Sequence, residues 1–89
     1  QAARLLVYRA ACNRDLKQRN TIEVSCAKYY AAEVAVRAAN QAVKIFGSYG
    51  FSSEYPVERF YRDAKSYQIV EGTSNVQKWI IARNALGIK

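Results

Sequence analysis

Apolar positions recur along this chain at the three- and four-residue steps of α-helices, from one end to the other. Between residues 1 and 17, Leu5, Tyr8, Cys12 and Leu16 form such a stripe, and Arg4, Arg9, Arg14 and Lys17 fill the polar side. The polar run Lys17-Gln18-Arg19-Asn20 predicts a stop. Asn20, with Glu23 three residues on, is a cap-like pattern opening the longest helix, over residues 21–46. Its stripe is Ala27, Tyr30, Ala31, Val34, Ala38, Ala42 and Ile45, and so many alanines imply close approach of neighbouring helices. Gly47 stands at the natural C-cap position, within the helix-breaking stretch Gly47-Ser48-Tyr49-Gly50. Pro56 is placed as the first residue of a short helix to about residue 65 or 66, with Val57, Phe60, Tyr61 and Ala64 on its buried side. Glu58 and Arg62 share a face of that helix, the acid N-terminal to the base. A last helix, residues 74–86, carries Val76, Trp79, Ile80 and Leu86 as packing positions, with Trp79 as an anchor and Gly87 at its end. The pattern is all-α: an antiparallel bundle of about four helices, in one domain over residues 1–89.

Composition narrows this picture. Eighty-nine residues hold one domain, with a thin stability margin. The net charge of +7 is spread along the chain, which is the mark of solvated helix faces more than of a nucleic-acid surface. No Arg-rich recognition segment, signal peptide or run of membrane-spanning length appears. Cys12 and Cys26 form no C-x-x-C pair and histidine is absent, so metal coordination has no support; both read as reduced, half-buried thiols. Methionine is also absent, and the chain opens on helix-forming residues without a cap, as expected of a piece of a longer protein.

The chemistry centres on Glu71, a carboxylate in a short connection, followed by Gly72 and a helix start. Glycine permits a sharp turn and close approach of another molecule to the main chain. Ser74 reads as the helix N-cap, with Gln77 completing a capping box. The free N–H groups of a helix start suit an anionic or carbonyl-bearing ligand around residues 73–76. Local chemistry alone still favours an ordinary helix–helix connection with a solvated acid.

Several separated motifs then agree in order and spacing: Arg19-Asn20-Thr21, Ala27-Lys28, Gly47-Ser48-Tyr49-Gly50-Phe51, Glu54-Tyr55-Pro56-Val57-Glu58-Arg59, Arg62-Asp63-Ala64-Lys65, Ile69-Val70-Glu71-Gly72-Thr73-Ser74 and Ile80-Ile81-Ala82-Arg83. Together they resemble the C-terminal signature of the flavin-dependent acyl-CoA dehydrogenases, over nearly the whole chain. The resemblance implies the C-terminal helical domain of such an enzyme and desaturation of an acyl-CoA thioester. It makes Glu71 the base for the α-proton, its backbone N–H a donor to the thioester carbonyl, and FAD the acceptor of the β-hydride. Gly72 would lie along the substrate, and Thr73, Ser74 and Asn75 would contact the flavin. Lys44, Ile45, Phe46, Gly47 and Ser48 would contact the flavin nucleotide of a neighbouring subunit. Partners implied are the acyl-CoA substrate, an electron-transferring flavoprotein and further copies of the chain in a homotetramer. The compartment, bacterial cytoplasm or mitochondrial matrix, is left open.

Three positions depart from the family pattern: Lys44 stands where glutamine is common, Ser48 where a second glycine is common, and Val70 where many straight-chain enzymes have tyrosine. A smaller side chain at Val70 implies a wider acyl pocket. Two other readings stay beside this one: a helical interaction module whose alanine-rich faces bind partner helices, with Glu71 a spectator, and a relative that lacks dehydrogenase activity.

Overall fold

In a computed structural model that describes residues 1–88, one long helix touches every other element. The order is α1 (Ala2–Asp15), α2 (Thr21–Phe46), a 3-10 turn (Gly47–Phe51), α3 (Val57–Ser66) and α4 (Ser74–Ala85), with no strand among the described residues. At 26 residues, α2 is roughly 39 Å long by the usual rise per residue, enough to carry shorter helices along its flank.

Three interactions define the directions. Asn20 Nδ2 donates to the Ala10 carbonyl at 3.1 Å, and Arg9 lies 3.9 Å from Glu23, so α1 runs back against the N-terminal half of α2. The Gln68 side chain reaches Glu33 just after α3 ends, and Arg19 Nη2 donates to Asn84 Oδ1 at 2.7 Å near the end of α4. Helices α3 and α4 therefore lie in tandem alongside α2, both antiparallel to it, with residues 67–73 between them. The expected antiparallel helical architecture is present, and α2 has the predicted bounds.

Small residues set the packing. The buried apolar side chains are Ala10, Ala27, Ala32, Ala39, Val57 and Ala64, and Ser25, Ala32 and Ala39 recur at seven-residue steps along α2. Alanine and serine let helix axes come close. Gly50 is buried for the same reason, since a Cβ there would collide with the Val43 carbonyl. An open groove of about 320 Å³ between α1 and α2 has Ala27, Ala31, Ala32 and Ala35 along it and Val7 and Tyr67 at its margins.

The assembly measures 47 × 25 × 17 Å, and 17 Å is less than two helix diameters, so each helix keeps an outward side. Several packing expectations are corrected on this account. In α1 the inward face is Ala3, Leu6, Ala10 and Asn13, while Leu5, Tyr8, Cys12 and Leu16 face out. Cys12 is thus exposed and only Cys26 half-buried; both are free thiols. Tyr30, Ala38 and Ile45 in α2, and Phe60 and Tyr61 in α3, are also exposed. In α4 Val76 and Trp79 are exposed, as is Leu86 just after it; Ile80 is half-buried as expected, and the fully buried position is Gln77. Trp79 is not an anchor: its ring carries the Arg83 guanidinium at 5.1 Å. The Glu58–Arg62 pair forms as expected, at 3.3 Å. Asn20 does not cap α2 with its side chain, which is committed to Ala10. No helix among the described residues is long and apolar enough to cross a membrane.

Candidate active site

The chain leaves α3 in tightening turns. Tyr67 N–H donates to the Ala64 carbonyl, Gln68 N–H to Lys65, and both Ile69 and Val70 N–H to Ser66. Then two successive residues adopt left-handed backbone, Glu71 at φ 55° and Gly72 at φ 97°. Glycine accepts this conformation freely; glutamate does not. Thr73 (φ −60°, ψ 160°) redirects the chain into α4.

Four hydrogen bonds hold this reversal. Ser74 N–H donates to the Gln68 carbonyl at 3.0 Å and closes the loop. Thr73 Oγ1 accepts from Val76 N–H at 3.1 Å, which makes Thr73 the N-cap of α4. The expectation of Ser74 as cap is therefore corrected by one residue: the extended backbone that a cap requires belongs to Thr73, and Ser74 is already helical. Gln77, expected to complete a capping box, is buried and turns its Nε2 to the Gly72 carbonyl at 3.3 Å. A Cβ on Gly72 would lie 2.5 Å from that nitrogen and displace the Gln77 amide, while the φ of 97° is the firmer demand for glycine. The fourth bond leaves the loop: Gln68 Nε2 donates to Glu33 Oε1 on α2 at 2.8 Å. Nearby, Lys28 Nζ donates to the Tyr67 carbonyl at 2.8 Å and lies 5.7 Å from the Tyr67 ring.

Glu71 is thereby presented outward, exposed and without a cation partner among the described residues. The backbone N–H groups of Glu71, Gly72, Thr73 and Asn75 have no acceptor among the described residues. A carboxylate beside unpaired N–H donors at a helix start can take a proton from a carbon while the donors hold a carbonyl next to it.

The proposed cofactor contacts fall into two sets. Thr73, Ser74 and Asn75 surround the start of α4, where free N–H groups and the positive end of the helix dipole suit the carbonyl-rich edge of a flavin ring. Ser74 Oγ is shielded from solvent and has no hydrogen-bond partner, and Ser74 N–H is committed to the Gln68 carbonyl, so the free donors here are the N–H groups of Thr73 and Asn75. Lys44, Ile45, Phe46, Gly47 and Ser48 occupy the other end of α2, all exposed. From Glu33 to Lys44 is eleven residues, roughly 17 Å along the helix, so one chain does not gather both sets around one small ring. Carbonyl groups end a helix with negative character, and Lys44 is the group here that could meet a pyrophosphate. Gly47 caps α2 at φ 64° with open space around it. Ser48 is not among the residues with left-handed backbone, so a side chain in place of glycine causes no strain there. Phe46 and Tyr49 both pack on Tyr55, at 5.8 and 5.4 Å between ring centres, and brace this end.

Glu33, Gln68 and Lys28 escaped the sequence reading as parts of the site. Helical periodicity carries no signal for a hydrogen bond between residues 35 apart.

Comparison with known proteins gives a consistent result. Residues 1–86 match the family described as acyl-CoA dehydrogenase, C-terminal domain. The chain is 50% identical over 90 aligned residues to glutaryl-CoA dehydrogenase of Desulfococcus multivorans, covering 100% of this chain and 23% of that protein. Butyryl-CoA dehydrogenase from Megasphaera elsdenii superposes with a TM-score of 0.92 at 48% identity, covering 96% of this chain and 22% of that one. An FAD complex of PigA superposes with a TM-score of 0.90 at 31% identity, covering 98% and 22%. The chain thus spans less than a quarter of the length of each relative.

Proposed function

This chain belongs to the acyl-CoA dehydrogenase family, and from that premise we propose that it is the C-terminal helical part of a flavin-dependent enzyme that introduces a double bond between the α and β carbons of an acyl-CoA thioester. The observation that carries this reading is the left-handed Glu71, aimed outward beside unpaired N–H donors at the start of α4. Glu71 takes the α-proton. Its backbone N–H donates to the thioester oxygen and stabilises the negative charge that grows there as the proton leaves. Gly72, with no Cβ, lets the thioester lie along the main chain.

Bound FAD supplies the acceptor for the hydride that leaves the β-carbon. The start of α4 would hold that flavin through backbone N–H groups and the Thr73 hydroxyl, whose hydrogen stays free to donate while its oxygen caps the helix. The distance between the two candidate contact sets favours a cofactor site completed by a second copy, Lys44 to Ser48 of one subunit facing the nucleotide of its neighbour, within a homotetramer. An electron-transferring flavoprotein would be the partner that takes up the electrons.

The test is the visible spectrum of the longer protein that carries this chain, and of its Glu71→Gln variant, on addition of butyryl-CoA, glutaryl-CoA and cyclohexane-1-carbonyl-CoA. A flavin band that bleaches with one of them in the parent and persists in the variant supports the assignment. A parent devoid of flavin, or a variant that bleaches as fast, rejects it. The exposed apolar helix faces also suit a non-catalytic interaction module, and that reading gains only if Glu71 proves irrelevant.

A further inference from the structure

An L-residue at positive φ costs about 1–2 kcal/mol and persists where hydrogen bonds or packing hold it, so the bonds around Glu71 fix its conformation. Two of the bonds around it are internal to the turn and to α4: Ser74 N–H to the Gln68 carbonyl, and Gln77 to the Gly72 carbonyl. They give the turn its shape, but they would move with it as a unit. Helix α4 is seated on α2 by packing and by Arg19 at Asn84, and α2 meets the turn itself through Lys28 at Tyr67 and Glu33 at Gln68.

The two ties differ in kind. Lys28 reaches a backbone carbonyl in an exposed setting. The Glu33–Gln68 bond is half-buried, and it involves the residue whose own carbonyl closes the Glu71 turn. An ionised carboxylate only accepts, so the Gln68 amide must face it with nitrogen, and its orientation is set by chemistry. Glu33 forms no ion pair among the described residues, although the chain carries a large excess of cations. Its described partner is the turn.

We propose that Glu33 is a positioning residue for the α-proton transfer. Through Gln68 it locks the turn that carries Glu71, and so sets where the carboxylate and the adjacent N–H stand relative to the thioester. The proposal rests on the reading of Glu71 as the base.

The test uses the longer protein with Glu33→Ala, Glu33→Gln, Gln68→Ala and the Glu33→Ala/Gln68→Ala pair, beside Glu71→Gln. Single-turnover flavin bleaching by the most reactive of the three thioesters is followed with bound flavin and the thioester concentration for half-maximal rate. Glu33→Ala is expected to keep its flavin and that half-maximal concentration, yet to bleach at least ~10-fold more slowly, as misplacement of a reacting group does. Glu33→Gln still offers an amide oxygen to Gln68 and is expected to restore the rate to within about three-fold, since the weaker neutral bond keeps the geometry. The pair should be no slower than Glu33→Ala alone. Bleaching by Glu33→Ala within two-fold of the parent overturns the proposal. So does Glu33→Gln as slow as Glu33→Ala, or a pair whose loss is the product of the single losses. If Glu33→Ala loses flavin, amide exchange over residues 69–74 in Gln68→Ala decides: faster exchange there supports the tie, and unchanged exchange overturns it. If Glu71→Gln bleaches like the parent, the base assignment has failed, and the same exchange measurement still tells whether Glu33 holds the turn.

Discussion

The Gln77 side-chain amide sits 3.3 Å from the Gly72 carbonyl, in the space that any β-carbon at position 72 would need. Helix α4 thus reaches back over the turn that precedes it; a side chain at position 72 would meet an unfavourable φ and would also push the Gln77 amide from its bond. Gly72→Ala is expected to destabilise the turn by about 1–3 kcal/mol and to slow flavin bleaching in the longer protein. Adding Gln77→Ala removes the collision but leaves the unfavourable φ, so it should recover only part of the loss. Full recovery of the apparent melting temperature in the double variant would show that the backbone conformation is unimportant.

The two hydroxyl residues at the start of α4 should behave differently. Thr73 Oγ1 caps the helix, whereas Ser74 Oγ is shielded and unpartnered. Thr73→Ala should cost about 1 kcal/mol, the usual loss of an N-cap. Ser74→Ala removes a buried hydroxyl that forms no bond and should be neutral or slightly stabilising. Thermal unfolding of the two variants checks this, and a larger loss for Ser74→Ala would return the cap to that residue.

That pair marks how far the sequence is legible. Helix number, the bounds of α2, and the placement of Glu71 before a helix start follow from periodicity, glycine and proline, because those signals are local. Thr73 and Ser74 are both good caps, and sequence cannot rank them; the backbone angles do. In α1 Leu5 and Leu6 both fit a helical stripe, and only the small-residue face of α2 decides that Leu6 turns inward. Glu33 reads as one more solvated acid until α3 brings Gln68 back beside it.

Val70 is about half exposed and directly precedes Glu71. Val70→Tyr in the longer protein is expected to lower turnover of cyclohexane-1-carbonyl-CoA well below that of butyryl-CoA, by filling space a ring needs. The measurement is the ratio of kcat/KM for the two thioesters in parent and variant. An unchanged ratio would show that Val70 does not border the acyl pocket.

Residues 1–89 by themselves should not remain monomeric. Leu5 and Tyr8 on α1, Leu16 at its C-cap, Ile45 on α2 and Trp79 on α4 all expose large apolar surfaces, while the buried set is mostly alanine. Apolar area removed from water contributes roughly 25 cal/mol per Å², and alanines bring little of it, so the slab has weak internal cohesion and strong reason to associate. Sedimentation of the isolated chain should show concentration-dependent species heavier than 10.1 kDa. Replacing Leu5, Tyr8 and Leu16 together by glutamine or lysine should shift it toward monomer without loss of helix signal, because these side chains face away from α2. Loss of helix on that substitution would mean that the outward stripe of α1 stabilises the single chain after all.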